Sequence, residues 1–262
     1  MAPRPGGETD KQGNKYELAW IIRYALYCIH DERRSLTAED VDIELSKGSE
    51  FTYITSNGTE VHQLKRQDGN NNRWSIQKLN GLKIFEAAAG HVANGRQYHF
   101  VSLIPCGPLR ELTDRARKSS DITNFTQLWL TSELRAAFDE LSATEVLGSA
   151  EAAWTTLRGM WFEVHDEHDI IQVNDMLAEQ SLDGQAGHLT TLALGDILLN
   201  NLGKTLTRDN LLTELKKQGI LPLRAKTRTT AREQTRTVTE SWLSTIRREL
   251  LEPSIEDRKS VV

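Results

Sequence analysis

The chain has 262 residues, 38% of them hydrophobic and 26% charged, which allows a buried core and excludes wholesale disorder. Its net charge of −5 is unevenly spread. Residues 203–262 carry 13 Lys/Arg against 8 Asp/Glu and residues 1–202 carry 19 against 29, which excludes a broad basic nucleic-acid surface over the first part.

The start, MAPRPGGETDKQ, lacks the apolar segment of a signal peptide, and residues 1–13 read as a loose tail. No apolar run approaches the roughly 18–20 residues that cross a bilayer. A cytoplasmic protein without membrane contact is expected, with Cys28 and Cys106 packed as free thiols. From Asn14 to Ile29 the sequence is apolar on nearly all sides and predicts a buried helix with Asn14 as N-cap. Alternating segments follow at Asp40–Leu45, Phe51–Thr55 and Glu60–Arg66. The Asn57-Gly58 pair between the last two signals a hairpin. A second helix is expected from Ser75 through Val92, with Gly81 lowering its regularity, then a buried strand over Arg96–Pro105.

Beyond that strand the pattern turns helical, over 108–119, 125–142, 149–164, 173–180 and 188–202. A further helix has Thr207 as N-cap and Gly219 as stop. The last, 229–251, carries Val238, Trp242, Ile246 and Leu250 as an apolar stripe before Pro253. The expected architecture is α/β: a core at 14–120, a mainly helical extension over 121–205, and a helical connector at 206–262 leading to an absent or separate domain.

Three of these elements carry candidate chemistry. In the segment DVDIEL, strand alternation puts Asp40, Asp42 and Glu44 on one face, useful beside a hard divalent cation that takes oxygen ligands. In EVHQLKR, Gln63 and Lys65 share a face. If the strands pair, Asp42 and Gln63 approach one point, and Lys65 can hold a water or stabilise charge on a phosphate. Glu17 lies on an otherwise core-facing stripe with Trp20, Ile21, Tyr24 and Cys28, where a carboxylate needs a partner or a cation. The alternative is a solvated sheet edge, with Glu17 paired to Arg23 or Lys65.

This order, helix with Glu, strand with Asp, strand with Gln-x-Lys, helix, strand, resembles the PD-(D/E)xK nuclease superfamily in its Mrr-like QxK branch. More narrowly, residues 13–105 resemble the double-strand DNA endonuclease effector domain at the N-terminus of bacterial antiphage STAND NTPases (AVAST-type) and of related defence proteins with a cyclic-oligonucleotide sensor. The resemblance implies a restriction-endonuclease-like core, a mixed sheet flanked by helices, and Mg2+- or Mn2+-dependent cleavage of double-stranded DNA. Carried over residue by residue, the active-site aspartate falls on Asp42, with Asp40 the alternative, the QxK on Gln63 and Lys65, and the helix glutamate on Glu17. Asp42, Gln63 and Glu17 would hold the metal. The resemblance further implies a homo-oligomer and an NTPase or sensor domain, on this chain or a partner. The rival reading is a catalytically inactive nuclease-like module for protein assembly.

Other signals are weaker. NLGKT (Asn201–Thr205) ends like a phosphate-binding loop but lacks its first glycine, and reads as a helix end capped by Gly203. The cluster HDEHDI reads as a solvated turn, and Trp74 as packing rather than a DNA contact. The basic run at 224–237 suits DNA phosphates, a solvated linker-to-helix surface or a docking surface for a neighbouring subunit.

Overall fold

The computed structural model describes residues 6–39, 48–66, 73–183 and 186–223, with side chains from residue 15 onward. Residues up to Leu221 form one compact unit. The first helix, α1, spans Gly6–His30. It starts eight residues before the expected cap, because Gly13 costs a helix only about 1 kcal/mol and no proline interrupts the run. The predicted strand Asp40–Leu45 lies outside the described residues, as do the basic run and the final helix. A short strand, β1 (Ser35–Ala38), precedes that gap.

Strands β2 (Phe51–Thr55) and β3 (Gly58–Lys65) form the predicted hairpin. Thr55 pairs with Gly58, so Ser56 and Asn57 make the turn and Gly58, at φ 133°, opens β3. The expected single helix over 75–92 is two, α2 (Ile76–Gly81) and α3 (Ile84–Ala93). They break at Lys83, which takes a left-handed φ of 60°, directly after the Gly81 irregularity. Strand β4 (Gln97–Ser102) and helix α4 (Leu109–Lys118) follow.

The expected helix over 125–142 is interrupted. A three-residue turn, α5 (Ile122–Asn124), runs into a π-helical stretch at Phe125–Trp129, and Thr131 caps a new helix, α6 (Ser132–Ser142). The segment 149–164 is helical only in its first half, α7 (Ala150–Arg158). Its second half, Met160–Val164, is strand β5. Gly159 stops the helix, and Met160 and Phe162 then alternate with Trp161 and Glu163, which suits a sheet covered on both faces. Helix α8 (Glu167–Ser181), a two-residue strand β6 (Leu182–Asp183), helix α9 (Gly187–Leu199), strand β7 (Thr205–Thr207), helix α10 (Arg208–Lys217) and a two-residue strand β8 (Leu221–Pro222) follow. Thr207 caps α10 in a reciprocal capping box with Asn210.

The main sheet is mixed, in the order β5-β4-β3-β2-β1-β7. The β3–β4 and β4–β5 pairs are parallel, and the remaining pairs antiparallel. Strands from both sides of residue 120 therefore build one sheet. β3 sits in its middle, not at an edge, and helices cover both its faces. On one face Leu36, Phe51, Tyr53, Leu64 and Val101 pack with α1, α8, α9 and α10. On the other, Val61, Tyr98, Phe100, Met160 and Phe162 pack with α2, α3, α4, α6 and α7. Each fully buried aromatic contributes roughly 1.5–3 kcal/mol, which is why the strands tolerate no solvated face here. Cys28 and Cys106 are buried free thiols within these two clusters.

Helices α8 and α9 approach closely where Gly187 opens α9. A Cβ there would lie 2.4 Å from the carbonyl oxygen of Asp175, which is backbone and cannot swing aside. Gly187→Ala should lower unfolding stability by about 2 kcal/mol. Gly90→Ala, in α3 with nothing within 4 Å of the new Cβ, should leave it unchanged or raise it by about 0.5 kcal/mol. Urea unfolding of both variants checks the contrast, and an equal effect at the two sites would contradict the close approach. Among the described residues, no helix is long and apolar enough to cross a membrane.

Candidate active site

The β2–β3 ladder continues one residue beyond β2. The Glu50 N–H donates to the His62 carbonyl at 2.7 Å, and the Glu39 N–H donates to the Glu50 carbonyl at 2.9 Å. Because side chains alternate, this register sends Glu50 to the face carrying Gln63 and Lys65. Glu50 Oε1 accepts from Gln63 Nε2 at 2.5 Å and from Lys65 Nζ at 3.2 Å. Gln63 is buried, and Lys65 and Glu50 are partly exposed. The polar pair that looked like an odd edge feature is thus a buried amide and a half-buried ammonium converging on one carboxylate.

Gly48 fixes the entry to this corner. It adopts a left-handed φ of 64°, and its carbonyl accepts from the Tyr98 hydroxyl at 2.9 Å. A Cβ at Gly48 would stand 2.6 Å from Ala87 Cβ and 3.8 Å from Gln63 Oε1. Only glycine fits that backbone without strain.

Glu17, on α1, lines a cavity of about 140 Å³ together with Glu39 and Glu50, walled by Leu18, Ile21 and Leu198. Burial foremost, then the Glu50 charge and a smaller push from Glu39, together raise the Glu17 carboxyl to about 7, with Lys65 partly offsetting them. Glu39 itself holds a left-handed φ of 48°. Three carboxylates therefore line one small cavity, with the Lys65 ammonium near them among the described residues. That is an oxygen-only donor set, crowded enough that one carboxyl is forced toward its neutral form. A hard divalent cation such as Mg2+ or Mn2+ fits it.

Of the expected site residues, Glu17, Gln63 and Lys65 all lie around Glu50, while Asp42 and Asp40 lie outside the described residues. Gln63 turns its amide nitrogen, not its carbonyl oxygen, toward Glu50, so it serves as a donor to a carboxylate. Glu17 does not pair with Arg23, whose guanidinium is buried and donates to Asn174 Oδ1 at 3.1 Å and the Ile170 carbonyl at 3.0 Å. Glu50 was missed in the sequence. Its only signal there is its place directly before the strand Phe51–Thr55, and pairing register alone brings it to Gln63.

Trp74 is buried and donates from Nε1 to Ser102 Oγ at 2.6 Å, so it packs. In HDEHDI, Asp166 caps α8 through the His168 N–H and His165 meets Glu163 at 3.2 Å. Asn200, not Gly203, caps α9. Gly203 sits in the following turn at φ 73° and donates its N–H to the Ala38 carbonyl.

No family model matches the chain, and no curated protein matches it. Among solved structures, it is similar to the Cap4 SAVED/CARF-domain containing receptor of Moraxella osloensis, at 10% identity and a TM-score of 0.46, over 78% of this chain and 46% of that one. It is also similar to the Acinetobacter baumannii Cap4 SAVED/CARF-domain containing receptor, solved with the cyclic trinucleotide 2'3'3'-cAAA, at 10% identity and a TM-score of 0.47, over 82% of this chain and 45% of that one. The same receptor with 3'3'3'-cAAA gives 9% identity and a TM-score of 0.45. The chain spans less than half the length of these receptors.

Proposed function

We propose that this chain is a divalent-metal-dependent endonuclease that hydrolyses double-stranded DNA. In this reading its α/β sheet is a restriction-endonuclease-like core, and the chain is an effector module of bacterial antiphage defence, activated by homo-oligomerisation under a sensor or NTPase domain. The observation that carries the chemistry is the convergence of Gln63 and Lys65 on Glu50, beside the carboxylate-lined cavity of Glu17. The defence setting rests on the sequence resemblance alone.

Glu50 and Glu17 would hold the ion, with Asp42 as a further ligand from the segment before Gly48. An ion held there would supply Lewis-acid polarisation of the phosphate and activation of the attacking water. Lys65 presents its ammonium 3.2 Å from Glu50, where it can orient the attacking water and stabilise charge developing on the phosphate. Gln63 fixes the Glu50 carboxylate through its amide N–H. The Glu17 carboxyl, pushed up to about 7 chiefly by burial, can carry a proton at neutral pH.

The test is cleavage of plasmid DNA by the assembled protein with Mg2+ or Mn2+, compared with Lys65→Ala and Asp42→Ala. Cleavage lost in both variants, with circular dichroism unchanged, supports the reading. Retained cleavage in both sinks the site assignment. No cleavage by the wild-type protein under any metal and assembly state favours the inactive assembly module.

A further inference from the structure

The opposite face of β3 carries a second cluster that the nuclease reading does not use. Four rings stack across the sheet in register: Phe51 on His62 at 4.4 Å, His62 on His99 at 4.5 Å, and His99 on Trp161 at 5.0 Å between centroids. Glu60 stands two residues before His62 and therefore on the same face. Its Oε2 lies 3.4 Å from His62 Nε2. One ligand atom from each of Glu60, His62 and His99 falls within 4.8 Å of the other two.

His99 is the decisive member. Its Nδ1 donates to Glu163 Oε1 at 2.6 Å, which leaves the Nε2 lone pair free in the neutral ring. That Nε2 is buried and has no hydrogen-bond partner among the described residues, although a buried polar atom left unpaired costs about 1–3 kcal/mol. A carboxylate holding one imidazole nitrogen while the other is left open is the arrangement that orients histidine ligands on zinc.

We propose that Glu60, His62 and His99 form a zinc site, through the Glu60 carboxylate and the Nε2 atoms of both histidines, with the fourth position open to water at the partly exposed Glu60. Two imidazoles and one carboxylate suit zinc better than the hard ions of the Glu50 site. The histidines lie on the face of β3 opposite Gln63 and Lys65, so the two sites are separable. Zinc bonds of about 2.0–2.1 Å require the three ligand atoms, now within 4.8 Å of one another, to draw together, and binding at His62 Nε2 also requires a proton shift. Trp20 Nε1 donates to His62 Nδ1 at 3.5 Å, at the outer limit of a hydrogen bond, which assigns the neutral ring's proton to Nε2, beside Glu60 Oε2. On binding, that proton moves to Nδ1 and the Trp20 N–H turns away. Trp20 therefore reports occupancy.

The test is titration of the full chain with zinc in excess Mg2+, by calorimetry and tryptophan emission, together with the visible spectrum of the cobalt(II) form. The expected result is one zinc per chain, an emission change absent in Trp20→Phe, and intense four-coordinate cobalt bands. His99→Gln and Glu60→Gln should bind at least about 10-fold more weakly, and Lys65→Ala should bind as the wild type does. Glu60 is on the partly exposed rim, so its variant tests the site even if a buried histidine variant unfolds. The cobalt spectrum of the wild type needs no variant. No zinc binding by the wild-type chain, zinc affinity unchanged by Glu60→Gln, or only the weak bands of six-coordinate cobalt would overturn the proposal.

Discussion

Glu50→Ala should reduce metal-dependent DNA cleavage by at least about 100-fold while leaving the protein folded, a loss of roughly 3 kcal/mol in transition-state stabilisation. Glu50 is where the two halves of the site meet, accepting from Gln63 and Lys65 and lining the Glu17 cavity. In the proposed nuclease, removing it would take a ligand from the ion, and it leaves Lys65 without its carboxylate partner. Burial is the main cause of the raised Glu17 carboxyl and remains in the variant, but the Glu50 charge that adds to it is gone, so Glu17 should titrate below about 7. Cleavage rates and the carbon chemical shift of the Glu17 carboxyl across pH read the two effects separately. Full cleavage in Glu50→Ala alongside none in Asp42→Ala would move the metal onto the segment before Gly48. A Glu17 titration that does not move would contradict the shared cavity.

The second large effect is acid sensitivity. His62 is fully buried between Phe51 and His99, and burial holds its imidazole down to about 4, against a partial upward pull from Glu60. A base with a depressed folded pKa stabilises the fold fully above its unfolded value of about 6.5 and loses that contribution as pH falls toward 4. From the two values the loss is about 2 kcal/mol at pH 5 and about 3 kcal/mol near pH 4. Glu163 acts in the same sense. Burial raises its carboxyl, but hydrogen bonds to His165 and His99 outweigh this and hold it well below the usual range, so its contribution too disappears on acidification. Denaturant unfolding between pH 7 and pH 4, in chelator so that no ion occupies the histidines, should show this loss. His62→Phe, which keeps a ring in the stack, should lack the His62 part. Equal acid sensitivity in both proteins would show that His62 does not titrate against folding.

Parts of this were legible in one dimension. The hairpin was, because Ser56, Asn57 and Gly58 punctuate two alternating runs. So were the helix start near Ser75 and the cap at Thr207, whose side chain accepts from the Asn210 N–H. Gln63 and Lys65 stood out because strand alternation places them on one face whatever the tertiary fold. Strand β5 was not legible. Trp161 and Glu163 alternate over too few residues to outweigh the helical pattern before Gly159. Only a vacant parallel edge beside β4 draws Met160–Val164 into the sheet. β7 is shorter still, at three residues, and exists because β1 offers it an edge.

Residue order alone dictates local chemistry: which residues share a strand face, the cap at Thr207, and one strand that carries an amide and an ammonium side by side. The tertiary structure decided what they meet. Pairing register, a long-range property, set Glu50 against Gln63 and Lys65 and put β3 at the centre of the sheet with both faces covered. The same register stacked His62 on His99 from a strand thirty-odd residues away. Neither contact follows from spacing along the chain, because both depend on which strands become neighbours, and burial of both faces of the sheet decides that.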